Sequence, residues 1–213
     1  MIATFGCSHT GGFTEDQTWP HLLSTQVKDN VYNLGHPATS LSFSVQMLKQ
    51  FKKKYPRSKT ILQVTRPNRF TVLEEFDFQL YLIQQEENYY CFDKSKTGEL
   101  LKTYIGASRM CNKYIGSEDD LQYYRQTVTK HSELDQLNFI ANIYYAKQYA
   151  DLVFFHQTPN HQLLKSEPQL KDILCLETQL GDRFKDYCLD DAAHFNRFGA
   201  LWQSNYIKEY MKL

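Results

Sequence analysis

Three side chains of this sequence have the types that catalysis by a serine nucleophile requires. Ser8 lies in the run Gly-Cys-Ser-His-Thr at residues 6–10, and Asp191 and His194 lie three residues apart near the other end of the chain. A serine hydroxyl is a weak nucleophile until a positioned imidazole removes its proton. The imidazole needs an acceptor that holds its second nitrogen. The sequence therefore predicts Ser8 as nucleophile, His194 as base and Asp191 as the carboxylate that orients the base.

The hydrophobic pattern indicates which elements must bring these residues together. Short apolar runs rich in β-branched and aromatic residues are typical of buried strands. Five such runs occur, at residues 2–5, 30–34, 60–64, 151–156 and 172–176. Helical spacing is predicted between them, from Leu41 to Phe51 behind a capping Thr39/Ser40 pair, within 118–149, and where aromatic residues repeat every fourth position from Phe198 to Tyr210. This alternation predicts a mostly parallel sheet with helices on both faces, a three-layer α/β/α sandwich.

In such a sheet, ligands bind beyond the carboxyl ends of the strands. Polar and glycine-rich segments follow the five predicted strands, at residues 6–12, 33–36, 65–69, 157–161 and 190–196. If Asp191 and His194 lie in one helical turn, their spacing of three places both side chains on the same face. Backbone N–H groups after the first strand can stabilise an oxyanion, and Gly35 offers another N–H because it has no side chain in the way.

Several of these segments resemble the blocks of the SGNH, or GDSL-like, hydrolases. Residues 6–10 look like the nucleophile block, with Cys7 where the family usually has Asp. Residues 33–35 (Asn-Leu-Gly) look like the second block with its oxyanion glycine, and residues 191–194 look like the final Asp-x-x-His block, followed by a fitting Asn196. The resemblance extends to bacterial and phage members whose N-terminal block reads Gly-Cys-Ser-His-Thr.

The third block departs from the family pattern. The family has Gly-x-Asn-Asp there, whereas this chain runs Thr-Arg-Pro-Asn-Arg at residues 65–69. The resemblance therefore leaves Asn68 and Arg66 as two candidates for the third oxyanion donor, beside Ser8 and Gly35. The candidate residues for substrate binding are His9, Arg66, Arg69 and Asn196.

The resemblance implies a flavodoxin-like sandwich of five strands in the order 2-1-3-4-5, formed by residues 1–213 as one domain. It also implies a serine esterase that cleaves an acyl or acetyl group from a carbohydrate, lipid or small alcohol through an acyl-enzyme. An aromatic-rich segment, about 70–118, does not fit the strand–helix rhythm and is predicted to be an insertion after the third strand that contains a hairpin.

Composition excludes several other classes of function. The 24 basic residues balance the 24 acidic ones, so nucleic acid is not an expected partner. No apolar run approaches the roughly 20 residues of a membrane span, and no signal peptide is recognised, so we expect a cytoplasmic protein. The five cysteines lack C-x-x-C spacing, and surface or loop positions are favoured for His9, His36, His156 and His161, so no metal is expected. No cofactor is expected, and the sequence does not specify an oligomeric state.

Two other hypotheses remain open at this stage. One is a non-catalytic binding or structural module on a hydrolase scaffold, associated with a virion if the chain is phage-encoded, which the altered third block favours. The other is a phosphate-cradling loop at residues 8–12 for a flavin nucleotide or another phosphate ligand.

Overall fold

The computed structural model describes residues 1–11, 18–37, 39–65, 69–73, 82–93, 101–105, 132–159, 161–189 and 194–213. The strands among them are β1 (Ile2–Phe5), β2 (Val31–Asn33), β3 (Lys59–Val64), β4 (Arg69–Leu73), β5 (Leu82–Glu86), β6 (Tyr89–Phe92), β7 (Leu101–Ile105), β8 (Leu152–Phe155) and β9 (Leu174–Cys175). The α-helices are α1 (Ser8–Gly11), α2 (Trp19–Ser24), α3 (Leu41–Lys54), α4 (Ser132–Ala146), α5 (His161–Ser166), α6 (Leu176–Leu180) and α7 (Arg197–Met211). Two 3₁₀ segments, Pro168–Asp172 and Gly181–Tyr187, complete the described elements.

The main sheet has the order β5-β6-β2-β1-β3-β8-β9, and every neighbouring pair in it is parallel except β5 with β6. The five strands expected from the sequence are β1, β2, β3, β8 and β9, and they lie in the predicted order. The structure thus confirms the predicted α/β/α sandwich and its central strand order.

The aromatic-rich insertion changes the size of the sheet. Its β5 and β6 form the expected hairpin, but β6 also pairs in parallel with β2 and extends the main sheet to seven strands. Its β7 pairs antiparallel with β4 in a separate two-stranded sheet. The sequence therefore predicted too few strands in the main sheet. Tertiary packing decides which strand a short segment pairs with, and the local sequence pattern does not show this pairing.

Alternating side chains of the strands build two cores, one on each face of the sheet. Ala3 and Phe5 of β1 join one apolar cluster with residues of α3, α4 and α5, whereas Ile2 joins another with residues of α2, α6 and α7. Neighbouring residues of a strand point to opposite faces, so one short apolar strand supplies both cores. This explains why the predicted strands are continuous apolar runs.

Helix α3 follows its sequence pattern closely. Leu41, Val45, Leu48 and Phe51, which recur at helical spacing, are all buried. Ser40 is the N-cap, and its hydroxyl accepts a hydrogen bond from the Phe43 N–H at 3.2 Å, as the sequence indicated. Helix α4 lies inside the predicted helical stretch 118–149, and residues 118–131 of that stretch lie outside the described part of the chain.

The C-terminal helix α7 forms where the four-residue aromatic repeat predicts it, but none of the four aromatic residues is fully buried. Phe198 is 74% exposed and Tyr210 is also exposed, while Trp202 and Tyr206 are half-buried. The face that packs against the sheet and α2 carries smaller and polar residues, namely Gly199, Ala200, Gln203, Ser204 and Ile207.

Asp151 connects the start of β8 to β3 through a partly exposed carboxylate. Its Oδ2 accepts hydrogen bonds from the Thr60 N–H at 2.7 Å, the Thr60 hydroxyl at 3.0 Å and the Lys52 ammonium at 3.3 Å. Burial by itself raises the pKa of this carboxyl, but the Thr60 hydrogen bonds and the Lys52 charge together outweigh it and lower the pKa. The stabilisation is therefore present above the unfolded-state pKa of about 4 and is lost as pH falls through the folded-state pKa.

We predict that Asp151→Asn lowers the free energy of unfolding by about 1 kcal/mol at pH 7, less than for a fully buried charged hydrogen bond because water reaches the carboxylate. Urea unfolding from pH 7 to pH 2.5 measures this, and the difference from wild type should shrink below about pH 4. Asp182→Asn, which removes an exposed carboxylate from another segment, is the control. A difference that does not change with pH would contradict the role of the Asp151 charge.

Candidate active site

Ser8 is the first residue of α1, which begins directly after β1. The Cys7 carbonyl accepts hydrogen bonds from the N–H groups of Thr10 at 2.9 Å and Gly11 at 2.7 Å, and so starts the helical turn. The turn requires glycine at position 6, whose φ is +154°, and a Cβ there would overlap the Thr10 hydroxyl. The chain therefore changes from strand to helix within two residues and leaves Ser8 at the carboxyl edge of the sheet.

The Ser8 hydroxyl is hydrogen-bonded to an imidazole from the far end of the chain. Ser8 Oγ and His194 Nε2 lie 2.8 Å apart although 186 positions separate the two residues. Ser8 is 7% exposed, and His194 is half-buried. A serine and a histidine at this distance have the geometry in which the imidazole can take the hydroxyl proton.

His194 is held in place by main-chain pairing on both sides of it. The Leu189 N–H donates to the His194 carbonyl at 2.7 Å, and the Asn196 N–H donates to the Tyr187 carbonyl at 2.9 Å. These bonds flank an antiparallel bridge between Cys188 and Phe195. His194 is therefore fixed by main-chain pairing with the segment at residues 187–189, three residues before α7 begins.

Asn196 has a structural role in this loop. Its Oδ1 accepts from the Gly199 N–H at 3.0 Å and so caps α7. Its Nδ2 donates to the carbonyls of Asp186 at 3.1 Å and Cys188 at 3.3 Å. Both ends of the Asn196 amide are therefore hydrogen-bonded within the protein.

Several predicted site residues lie outside the described part of the chain. These are Asp191, with the helical turn expected around it, and the oxyanion candidates Arg66 and Asn68. Arg69 begins β4, but its side chain is not among those described.

Gly35 lies against α1, but its N–H has an acceptor within the protein. A Cβ at Gly35 would lie 2.7 Å from the Gly11 nitrogen, so the two backbones meet directly. The Gly35 N–H donates to Asn33 Oδ1 at 3.1 Å, and Asn33 Nδ2 donates to the Thr10 carbonyl at 3.0 Å and the Tyr89 hydroxyl at 2.8 Å. Gly35 thus makes the close backbone contact that the sequence predicted, and its N–H is hydrogen-bonded to the Asn33 side chain.

Two of the histidines expected at surface or loop positions, His9 and His156, pack against each other. His156 does lie in a bend, but it is buried there and not at the surface. His156, directly after β8, is only 5% exposed, and its ring lies 4.3 Å from that of half-buried His9. The His9 ring in turn stacks on His194, with the centroids 4.4 Å apart and the planes 17° apart. The three imidazoles form a column, in the order His194, His9 and His156, which a sequence pattern could not indicate because it joins three distant segments.

A cavity of about 290 Å³ opens beside this column. Its lining residues include Cys7, whose thiol lies 4.0 Å from the Ser8 hydroxyl, and Thr65, whose buried hydroxyl has no hydrogen-bond partner among the described residues. No acidic side chain, lysine or arginine occurs among its described lining residues. These are Cys7, His9, Val64, Thr65, Gln136, Phe139, Phe155, His156, Gln157, Thr158, Pro159 and Leu163.

Within the described ranges, no three His, Cys, Asp or Glu side chains are arranged to hold a metal ion. The helices described there also include none that is long and apolar enough to cross a membrane.

Three solved structures align with this chain over nearly its full length at low sequence identity. A member of the lipolytic protein G-D-S-L family from Veillonella parvula DSM 2008 aligns with a TM-score of 0.48 and 13% identity, over 98% of this chain and 96% of that one. TesA aligns with a TM-score of 0.48 and 8% identity, over 99% and 98%. A protein ascribed to the same lipolytic family, from Desulfitobacterium hafniense DCB-2, aligns with a TM-score of 0.46 and 14% identity, over 98% and 97%. No family model and no curated protein matches the chain.

At this level of similarity, only the geometry of the site bears on its chemistry.

We predict that Asn196→Ala lowers the free energy of unfolding by about 1 kcal/mol, the usual cost of losing an N-cap. Asn196→Asp keeps an oxygen for the Gly199 N–H and should lose less. Thermal unfolding of the three proteins measures the difference. Equal stability of wild type and Asn196→Ala would show that the cap does not hold the loop.

Proposed function

We propose that this protein is an ester hydrolase in which Ser8 is the nucleophile and His194 the general base. The observation that carries the proposal is the 2.8 Å hydrogen bond between Ser8 Oγ and His194 Nε2. The position of Ser8 at the end of a strand and the start of a helix, beside a neutral cavity, supports it.

The reaction has two stages that use the same pair of groups. His194 takes the Ser8 proton at Nε2 as Ser8 Oγ attacks the acyl carbon, and the tetrahedral intermediate collapses when the leaving alkoxide receives that proton. Water then attacks the acyl-enzyme while His194 accepts a water proton. The acid leaves as the proton passes from Nε2 back to Ser8 Oγ, which restores the starting state.

Other groups complete the proposed site. Asp191, three residues before the base, is the proposed acceptor for His194 Nδ1–H, which keeps Nε2 unprotonated and ready to accept. The Ser8 N–H, in the first turn of α1 where a helix leaves its N–H groups unpaired, is the proposed oxyanion donor, with Asn68 or Arg66 as a further one. Gly35 could join them only by giving up its bond to Asn33. Arg69 is proposed to bind an anionic group on the alcohol side of the substrate.

The cavity indicates the kind of acyl group. Its described lining contains no acidic side chain, lysine or arginine and includes five apolar side chains, Val64, Phe139, Phe155, Pro159 and Leu163. An apolar cavity of about 150 Å³ holds a benzene molecule, so 290 Å³ accommodates a group considerably larger than acetyl. We propose an uncharged acyl chain or aryl acyl group there.

The first test of this proposal is labelling and turnover. Wild type should react with a fluorophosphonate probe on the peptide that contains Ser8 and should hydrolyse p-nitrophenyl esters. Ser8→Ala and His194→Ala should each lose about 10³-fold or more in kcat, and the double variant little more, because residues that act as a unit are not additive.

Two control variants test whether the label is specific to Ser8. Ser24→Ala removes a buried serine hydroxyl from α2, far along the chain from the site, and should leave labelling unchanged. Cys7→Ser removes the neighbouring thiol and should keep the label on Ser8. A wild type that is neither labelled nor active on any ester would favour the non-catalytic binding module instead.

The cavity has its own prediction. Leu163→Phe adds volume to the cavity wall and should lower the ratio of kcat/KM for octanoate to that for acetate esters about tenfold or more. Leu164→Phe, which makes the same change at the next residue outside the described cavity lining, is the control. An unchanged ratio in Leu163→Phe would show that the acyl group binds elsewhere.

A further inference from the structure

We propose that His9 is a positioning residue for His194. Its imidazole, packed between those of His194 and His156, fixes the plane of the base so that Nε2 points at the Ser8 hydroxyl. This inference rests on the proposed function, because it assigns His9 a role in the same reaction.

The geometry on the His194 side is that of two stacked rings. The centroids of His9 and His194 lie 4.4 Å apart, and the planes are nearly parallel at 17°. The hydrogen bond to Ser8, like any hydrogen bond to a ring nitrogen, lies close to the plane of the imidazole and constrains an edge of the ring. A flat ring packed against the face of the imidazole opposes tilting out of that plane, so the stack adds a constraint in a different direction.

The position of His9 in the chain makes this constraint effective. His9 follows Ser8 in α1, so one short helical turn carries both the nucleophile and the ring that packs on the base. Any shift of α1 moves the two together. A misplacement of about 1 Å costs on the order of 10²-fold in rate, so a shared support of this kind preserves the distance that matters.

The other side of His9 is supported from the sheet. The His156 ring lies 4.3 Å from that of His9 and also packs against Phe195 at 4.3 Å and Phe184 at 5.4 Å. Phe195 is the residue after His194. The ring contacts therefore pass from His194 to His9, then to His156, and then back to the residue next to His194. His156 is buried just after β8, and its ring provides a fixed surface against which His9 packs.

This role requires a flat ring at position 9 more than a second titratable group. His9→Phe keeps a flat ring, whereas His9→Leu keeps an apolar side chain of similar reach without one. We expect kcat for a p-nitrophenyl acetate, which is too small to fill the cavity, to fall about 10- to 100-fold in His9→Leu with KM changed less than threefold. His9→Phe should recover most of kcat, and the rate of fluorophosphonate labelling should follow kcat in the same order.

A readout without turnover accompanies these rates. In protein labelled with ¹³C-histidine, the His194 Cε1–H resonance should carry a ring-current shift that His9→Leu removes and His9→Phe retains. His156→Leu, which withdraws the far support and leaves His9 in place, is the second variant, and it should give a smaller loss of kcat. Thermal unfolding of each variant establishes that it is folded.

The outcomes separate the two proposals. Labelling and kcat that fall in His9→Leu and recover in His9→Phe, with the matching resonance shifts, support the positioning role. Unchanged labelling in folded His9→Leu and folded His156→Leu overturns it while leaving the esterase proposal intact. A wild type that is not labelled at all overturns the esterase proposal, and any resonance shift then reports a structural stack only, which overturns the positioning role as well.

Discussion

The hydrogen bond between Ser8 and His194 constrains much of this structure. It can form only if the end of β1 and the loop before α7 reach the same edge of the sheet, and parallel strands with helical connections do this. Buried polar contacts then hold α1 against the sheet. The Thr10 hydroxyl donates to Gln63 Oε1 at 2.7 Å, and Trp19 Nε1 donates to the same oxygen at 3.1 Å. Gln63, a fully buried glutamine on β3, thus joins the turn that carries Ser8 to α2.

The parts of this arrangement that depend on local pattern could be predicted from the sequence. The apolar runs predicted the five central strands because both faces of the sheet are covered. The spacing of Leu41, Val45 and Leu48 predicted α3 because one face of that helix is buried. The residue types at positions 8 and 194 favoured a pairing of a hydroxyl with an imidazole, and the two groups are hydrogen-bonded at 2.8 Å. Their roles as nucleophile and base stay a prediction.

The parts that depend on contacts between distant segments could not be predicted. Nothing near His156 in the sequence shows that it contacts His9 at the edge of the sheet. A single histidine after a strand predicts only a loop residue. The aromatic repeat of α7 predicted the helix correctly, yet spacing alone does not indicate which side faces the sheet when Ala200 and Ile207 occupy the other side. The role of Asn196 was also hidden, because its partners Asp186 and Cys188 lie in a separate 3₁₀ segment and its following residue.

The insertion is best understood through one of its tyrosines. Tyr89 lies in β6, and its buried hydroxyl accepts a hydrogen bond from Asn33, whose amide also donates to the Thr10 carbonyl and accepts from the Gly35 N–H. Because α1 and the loop after β2 meet at these groups, the added strand supports the turn that carries Ser8 from behind. A buried amide of this kind is costly unless its hydrogen bonds are made. The added strand β6 therefore satisfies a polar group on which the geometry of the site depends, besides enlarging the sheet.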